Sequence, residues 1–206
     1  MSNLPVIDAA STAVVTVDMH RGHLDPAVAT MPIPAERADE IIANSAKVLN
    51  AFRDKGVPVL HVMASYTAVE EIAANPWWKA VAETGATRAN VLKHQLPGSP
   101  GLEIMPDLLD ERDVVIDSKK RYDCFYMTEL ELALRTRGIK TVIVMGINTN
   151  SCVLATTIAG NVRDFQMVVA SDCVDTMDRS LHDTALSVMQ KAFGWVATGE
   201  EIAAAI

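Results

Sequence analysis

Short apolar runs alternate along this chain with longer stretches in which apolar residues recur every three or four positions. Ala13 to Val17, "VPVLHVMA", Val114 to Ile116, "KTVIVMG" and "QMVVASD" read as strands, and a short "GWVAT" reads as a sixth. Between the first two lies "AERADEIIANSAKVLNAFRDKG", with Ile41, Ile42, Val48, Leu49 and Phe52 near helical spacing and a stop at Gly56. "MTELELALRTRG", "SCVLATTIAGNVRDF" and "RSLHDTALSVMQKAFG" read as helices, and the tail "EEIAAAI" as a closing helix or a frayed end. Strand and helix in alternation are the mark of parallel βαβ units. Strands apolar on both faces fit a sheet covered by helices on each side. The pattern predicts an α/β fold: one doubly wound, mainly parallel six-stranded sheet in a three-layer, Rossmann-like sandwich, as a single domain over residues 1–206.

From about Tyr66 to Leu109 the pattern breaks. This segment holds Trp77, Trp78 and several Pro and Gly residues but no convincing strand. So long a connection between sheet elements is usually a functional loop or lid, and a lid-like insertion at 66–109 is the reading adopted. The alternative is a surface excursion whose tryptophans merely pack on the sheet.

Composition narrows the function. Half of the 206 residues are hydrophobic, 21% are charged and the net charge is −8. A nucleic-acid partner needs clustered Lys and Arg, and no basic stripe is present. No apolar run reaches the ~18 to 20 residues of a membrane span. The start "MSNLPVIDAAST" lacks the basic and apolar regions of a secretory signal. Cys124, Cys152 and Cys173 make an odd count without metal-like spacing. A reduced, cytoplasmic protein is the expectation.

Chemistry is expected beyond the carboxyl ends of the strands, where open α/β sheets bind ligands. Asp18, Lys119 and Cys152 stand at or just after three such ends. Each has a plain alternative: Asp18 as a turn residue, Lys119 as a solvated cation like Lys120, Cys152 as a small helix-packing residue. Together they make a nucleophile, a cation and a base. A thiol at the start of a helix meets unpaired N–H groups and the helix dipole, which favour thiolate, and a nearby lysine would lower its pKa further. Asp18 could take the proton as the thiol attacks a carbonyl.

The stretches "VVTVDMHRGHLD", "VVIDSKKRYDCFYMTELELALRTRGIKTVIVMGINTNSCV" and "VVASDCVDT" resemble the isochorismatase-like cysteine hydrolases, in order, over about Val14 to Val196. The resemblance implies Asp18 as general base, Cys152 as nucleophile and Lys119, rather than Lys120, as the lysine of the triad. It also implies a cis peptide at Ile147–Asn148 and an oxyanion hole of the Asn148 and Cys152 N–H groups. The reaction implied is hydrolysis of the C–N bond of a small amide or ureide through a thioester. True isochorismatases resemble the chain in fold but lack the cysteine. Nicotinamidases carry an Asp and two His binding a metal, and no Asp-x-His follows the second strand here, where the chain reads "HVMASYTAVEE". His61 is expected to be a half-buried strand residue. No metal or other cofactor is therefore expected.

"ANPWWKAV" and "LPGSPGLEIMPDLL" look like the lid of the biuret and ureide amidohydrolase branch. That similarity puts Trp77, Trp78, Tyr122 and Phe125 against the substrate. Arg121 holds a substrate carboxylate or carbonyl, or alternatively forms a structural ion pair. Asp123, His20, His23 and Asp25 depart from the family's usual residues and would make the pocket polar, suited to a cationic or donor-rich group; the alternative for Asp123 is a solvent-facing or Lys120-paired carboxylate. Relatives commonly form dimers or tetramers, so a homo-oligomer is expected. The competing readings are a catalytically silent metabolite-binding relative and a hydrolase of an ester or vinyl ether.

Overall fold

In a computed structural model of the protein, which describes residues 4–84 and 88–206, six strands form one all-parallel sheet. They are β1 (Thr12–Val17), β2 (Val59–Ala64), β3 (Val114–Lys119), β4 (Thr141–Ile147), β5 (Gln166–Asp175) and β6 (Trp195–Ala197), in the spatial order β3-β2-β1-β4-β5-β6. The chain winds outward from β1 to β3, returns to the middle, and winds out the other way from β4 to β6. The reversal leaves a crevice between the carboxyl ends of β1 and β4, the place where such sheets bind ligands.

Period-2 alternation sorts the apolar residues onto two faces. Val14 of β1 and Ile143, Met145 and Ile147 of β4 pack beneath α2 (Ala35–Asp54) and α8 (Gly199–Ala204), against Ile41, Leu49, Phe52 and Ile202. Ala13, Val15 and Val17 of β1 and Val142 and Val144 of β4 face the other layer. That layer is α5 (Leu130–Thr136), α6 (Leu154–Asn161) and α7 (His182–Ala192), which contribute Leu130, Leu134, Ala159 and Met189. The expected doubly wound sheet is thus observed.

β3 runs longer than expected, through Lys119, because only Ile116 and Lys119 of this edge strand are buried. Its polar outer positions Asp117 and Ser118 hid the strand from a search for apolar runs. Gly146 does not end β4 either, since the strand continues to Ile147. A β-carbon there would stand 2.1 Å from the Val17 carbonyl oxygen, and φ is +125°, so the close approach of β1 and β4 at the crevice requires glycine.

Residues 66–109 contain α3 (Val69–Ala73), α4 (Pro76–Ala82) and short 3-10 turns, and no strand among the described residues. They sit over the crevice. Tyr66, Ile72, Trp78 and Val91 make a small cluster with Met31 and Ala64. An isolated antiparallel bridge pairs His20 with Ile104, and Met105 N–H donates to the Met19 carbonyl. Among the described residues no helix is long and apolar enough to cross a membrane.

Candidate active site

Asp18, Lys119 and Cys152 converge at the crevice. Asp18 follows β1 in a left-handed conformation, φ +52°, which Asp tolerates better than most residues. Its backbone N–H is held by the Val62 carbonyl, and its Oδ1 accepts a 2.8 Å bond from the Ala64 N–H at the end of β2. Lys119, the last residue of β3, reaches across to place Nζ 2.6 Å from Asp18 Oδ2 and 3.5 Å from Cys152 Sγ. Cys152 lies in a single π-helical turn, Thr149–Val153, between β4 and α6. The Ile147–Asn148 peptide before it is cis, as the resemblance implied.

Side chains beyond the turn pin it in place. Asn148 Oδ1 accepts from Met177 N–H at 3.0 Å, Thr176 Oγ1 donates to Asn150 Oδ1 at 2.6 Å, and Thr149 Oγ1 lies 3.0 Å from His182 Nδ1. Asp175, the last residue of β5, is anchored in turn by Arg37 and Arg179.

The electrostatics correct one expectation. Burial alone would raise the Asp18 pKa, but the Lys119 charge and hydrogen bond outweigh it and hold the carboxyl below its ordinary range. For Lys119 the Asp18 charge outweighs burial and keeps the ammonium protonated. The Cys152 thiol is pushed up to about 11 by burial and by the Asp18 carboxylate, which Lys119 only partly offsets. Cys152 therefore rests as a neutral thiol, not the preformed thiolate that a helix start suggests. Burial is the largest influence on the thiol, and the Lys119 charge, opposed by Asp18, does not overcome it.

The expected substrate contacts divide. Trp78, Arg121, Tyr122 and His23 line the cleft with Asp18, Lys119, Cys152 and Asn148. Trp78 Nε1 donates to Tyr122 Oη at 2.6 Å, and the Arg121 guanidinium lies 5.1 Å from the Trp78 ring while donating to the carbonyls of Lys120 and Glu71. No carboxylate pairs with Arg121 among the described residues.

The others lie elsewhere. Phe125 is in the core, stacked on Phe165 with ring centroids 5.8 Å apart. Trp77 is 67% exposed and borders a separate groove. Asp123 accepts from the Phe125 N–H and pairs with neither substrate cleft nor Lys120, whose ammonium reaches Ser65 and Glu71 instead. His20 is fully buried behind Asp18, its Nε2 3.9 Å from Oδ1. His61 is buried rather than half-buried, held between Thr16 and Asp113 away from the cleft.

Three polar cleft residues, Tyr66, Arg88 and His94, went unnoticed in the sequence. All belong to the 66–109 segment, where no periodicity says which side chains turn inward. Arg88 donates to Ser151 Oγ at 2.8 Å, next to Cys152 in the chain, and its guanidinium lies 5.3 Å from the Tyr122 ring. Among the described residues no carboxylate neutralises it.

The chain is 30% identical over 199 residues to ureidoacrylate amidohydrolase RutB of Methylobacterium radiotolerans, covering 92% of this chain and 77% of that one. It is 23% identical over 189 residues to a maleamate amidohydrolase of Pseudomonas putida, covering 92% and 84%. In fold it superposes on a cysteine hydrolase from Pseudomonas syringae pv. phaseolicola with a TM-score of 0.85 at 24% identity, covering 98% and 94%. The profile of the isochorismatase domain matches residues 12–201, a span that takes in all six strands and every member of the Asp18–Lys119–Cys152 cluster. The chain belongs to the isochorismatase family of hydrolases.

Proposed function

We propose that the protein is a cysteine-dependent amidohydrolase acting on a small amide or ureide that carries a carboxylate. The observation that carries the reading is the single ammonium of Lys119 standing between a buried carboxylate and a buried thiol, within reach of both.

With Cys152 neutral at rest, its proton leaves as the sulfur bonds to the substrate carbonyl carbon, and Asp18 receives it. The carbonyl oxygen becomes an oxyanion, stabilised by the backbone N–H groups of Asn148 and Cys152. As that intermediate collapses, the C–N bond breaks and Asp18 returns the proton to the leaving nitrogen, so ammonia or an amine departs. Water then attacks the thioester, Asp18 takes its proton, and the thiol is restored as the acid product leaves. Between these transfers Lys119 holds Asp18 ionised and ready to accept a proton, and it offsets charge on the sulfur.

The substrate's charge is read from the cleft. Lys119, Arg88 and Arg121 face it against one carboxylate, Asp18. Such an excess suits an anionic substrate, and the planar guanidinium of Arg88 suits a carboxylate. The named activities of the two curated relatives, on ureidoacrylate and maleamate, are of the same chemical kind. A silent metabolite-binding role has no use for the complete cluster.

Ammonia release over ureidoacrylate, maleamate, N-carbamoyl amino acids, biuret and nicotinamide tests the proposal. The carboxylate-bearing amides are expected to turn over, and Cys152→Ser and Cys152→Ala to abolish turnover. Turnover that survives both variants would refute the nucleophile assignment.

A further inference from the structure

Beside the triad, three histidines from two distant parts of the chain share one buried spot. His20 and His23 belong to the turn after β1, and His94 follows the 3-10 turn Val91–Lys93. Their ring centroids are 4.6 Å apart for His23–His94, 4.8 Å for His20–His23 and 5.3 Å for His20–His94. One ring nitrogen of each lies within 4.8 Å of the others, and all three residues are buried.

The ring nitrogens divide in an informative way. His23 Nδ1 is 2.6 Å from the Met31 carbonyl oxygen, which can only accept, so Nδ1 carries the proton and Nε2 holds a bare lone pair. His94 Nδ1 is engaged by the Thr30 hydroxyl at 2.7 Å, and no described hydrogen bond uses its Nε2. Neither nitrogen of His20 has a hydrogen-bond partner, although the residue is completely buried. Buried polar groups are almost always satisfied, so two orphan nitrogens in one ring call for an explanation.

We propose that His20, His23 and His94 form a three-imidazole site for a divalent transition-metal ion of the zinc type, with an open coordination position toward the cleft. An outer nitrogen held by a carbonyl or hydroxyl while the inner one points at a shared centre is how proteins orient histidine ligands. Three protein ligands and one open position describe a reactive rather than a closed zinc site. Imidazole donors select zinc, copper, iron or nickel over magnesium or calcium. Bonds of ~2.0 to 2.1 Å place tetrahedral donors roughly 3.3 Å apart, so the ring nitrogens, now within 4.8 Å of one another, draw together by up to about 1.5 Å on binding. His20 is the one ring of the three whose nitrogens no hydrogen bond fixes. The Asp18 carboxylate, 3.9 Å from His20 Nε2, adds favourable charge. The expectation of no metal rested on the residues after β2, and these ligands come from elsewhere.

The site does not depend on the amidohydrolase reading, and its test avoids turnover. Chelator-stripped Cys152→Ser protein is titrated with Co²⁺ and with Zn²⁺. One equivalent of Co²⁺ is expected to bind with visible d–d bands of a nitrogen/oxygen site. Affinity is expected to fall by at least ~10- to 100-fold in His23→Asn and His94→Asn, both carried in Cys152→Ser. As a measurement on unmutated histidines, long-range ¹H–¹⁵N spectra of Cys152→Ser should show one equivalent of Zn²⁺ shifting three of the five imidazoles, with His61 and His182 unmoved. Absence of stoichiometric binding to folded protein, binding indifferent to both histidine variants, or shifts confined to His61 or His182 would each overturn the proposal.

Discussion

Lys119 Nζ lies 2.6 Å from Asp18 Oδ2, and both side chains are 2% exposed. Removing one partner from such a pair leaves a charge buried without compensation, which costs about 3 to 5 kcal/mol, whereas replacing both is far milder. Asp18→Asn should therefore lower the stability measured by urea unfolding by roughly that amount. The double variant Asp18→Asn/Lys119→Met should recover most of it, and neither should hydrolyse substrate. A single variant as stable as the parent would contradict the assigned burial of the pair.

The raised Cys152 pKa has a kinetic signature. Only thiolate is alkylated at an appreciable rate, and near pH 7 the thiolate fraction is small. Modification of Cys152 by iodoacetamide should climb about tenfold per pH unit from neutrality upward and level off only near 11. Cys173, pushed by burial to about 12, and Cys124, pushed still further up, should react more slowly. Mass mapping of the three sites checks this, and a rate that plateaus below pH 8 would show that the thiol rests as thiolate.

Arg88 should matter for binding more than for chemistry. Arg88→Met is expected to raise KM for carboxylate-bearing amides by about tenfold or more, with a smaller change for neutral amides. Arg88→Lys should restore only part of the loss, because an ammonium lacks the paired donors of a guanidinium. Equal losses on charged and neutral substrates would instead assign Arg88 to holding Ser151.

Gly146→Ala introduces a methyl into the Val17 carbonyl and forces an L-residue to φ +125°. A loss of at least about 3 kcal/mol is expected in thermal or urea unfolding, with activity falling because β1 and β4 carry Asp18 and the cysteine turn. Stability near that of the parent would mean that the two strands separate easily at the crevice.

How much of this was legible in the sequence depends on the range of the forces involved. The alternation of two-sided apolar strands with amphipathic helices is a local pattern, and it determined the doubly wound sheet. It also determined that Asp18, Lys119 and Cys152 stand at strand ends on one rim. The apolar run of edge strand β3 is short because only two of its six positions are buried. What the tertiary structure alone decided was side-chain convergence across long separations. It buried Phe125 in the core, turned Trp78 inward and Trp77 outward, and brought Arg88 to Ser151 beside Cys152. It gathered His94 with His20 and His23, and it set the Cys152 proton by enclosing the thiol beside a carboxylate. Residues 66–109 carry no repeating pattern, so where their side chains go is settled by packing against the finished sheet. Desolvation and charge coupling likewise come into being only when that packing is complete.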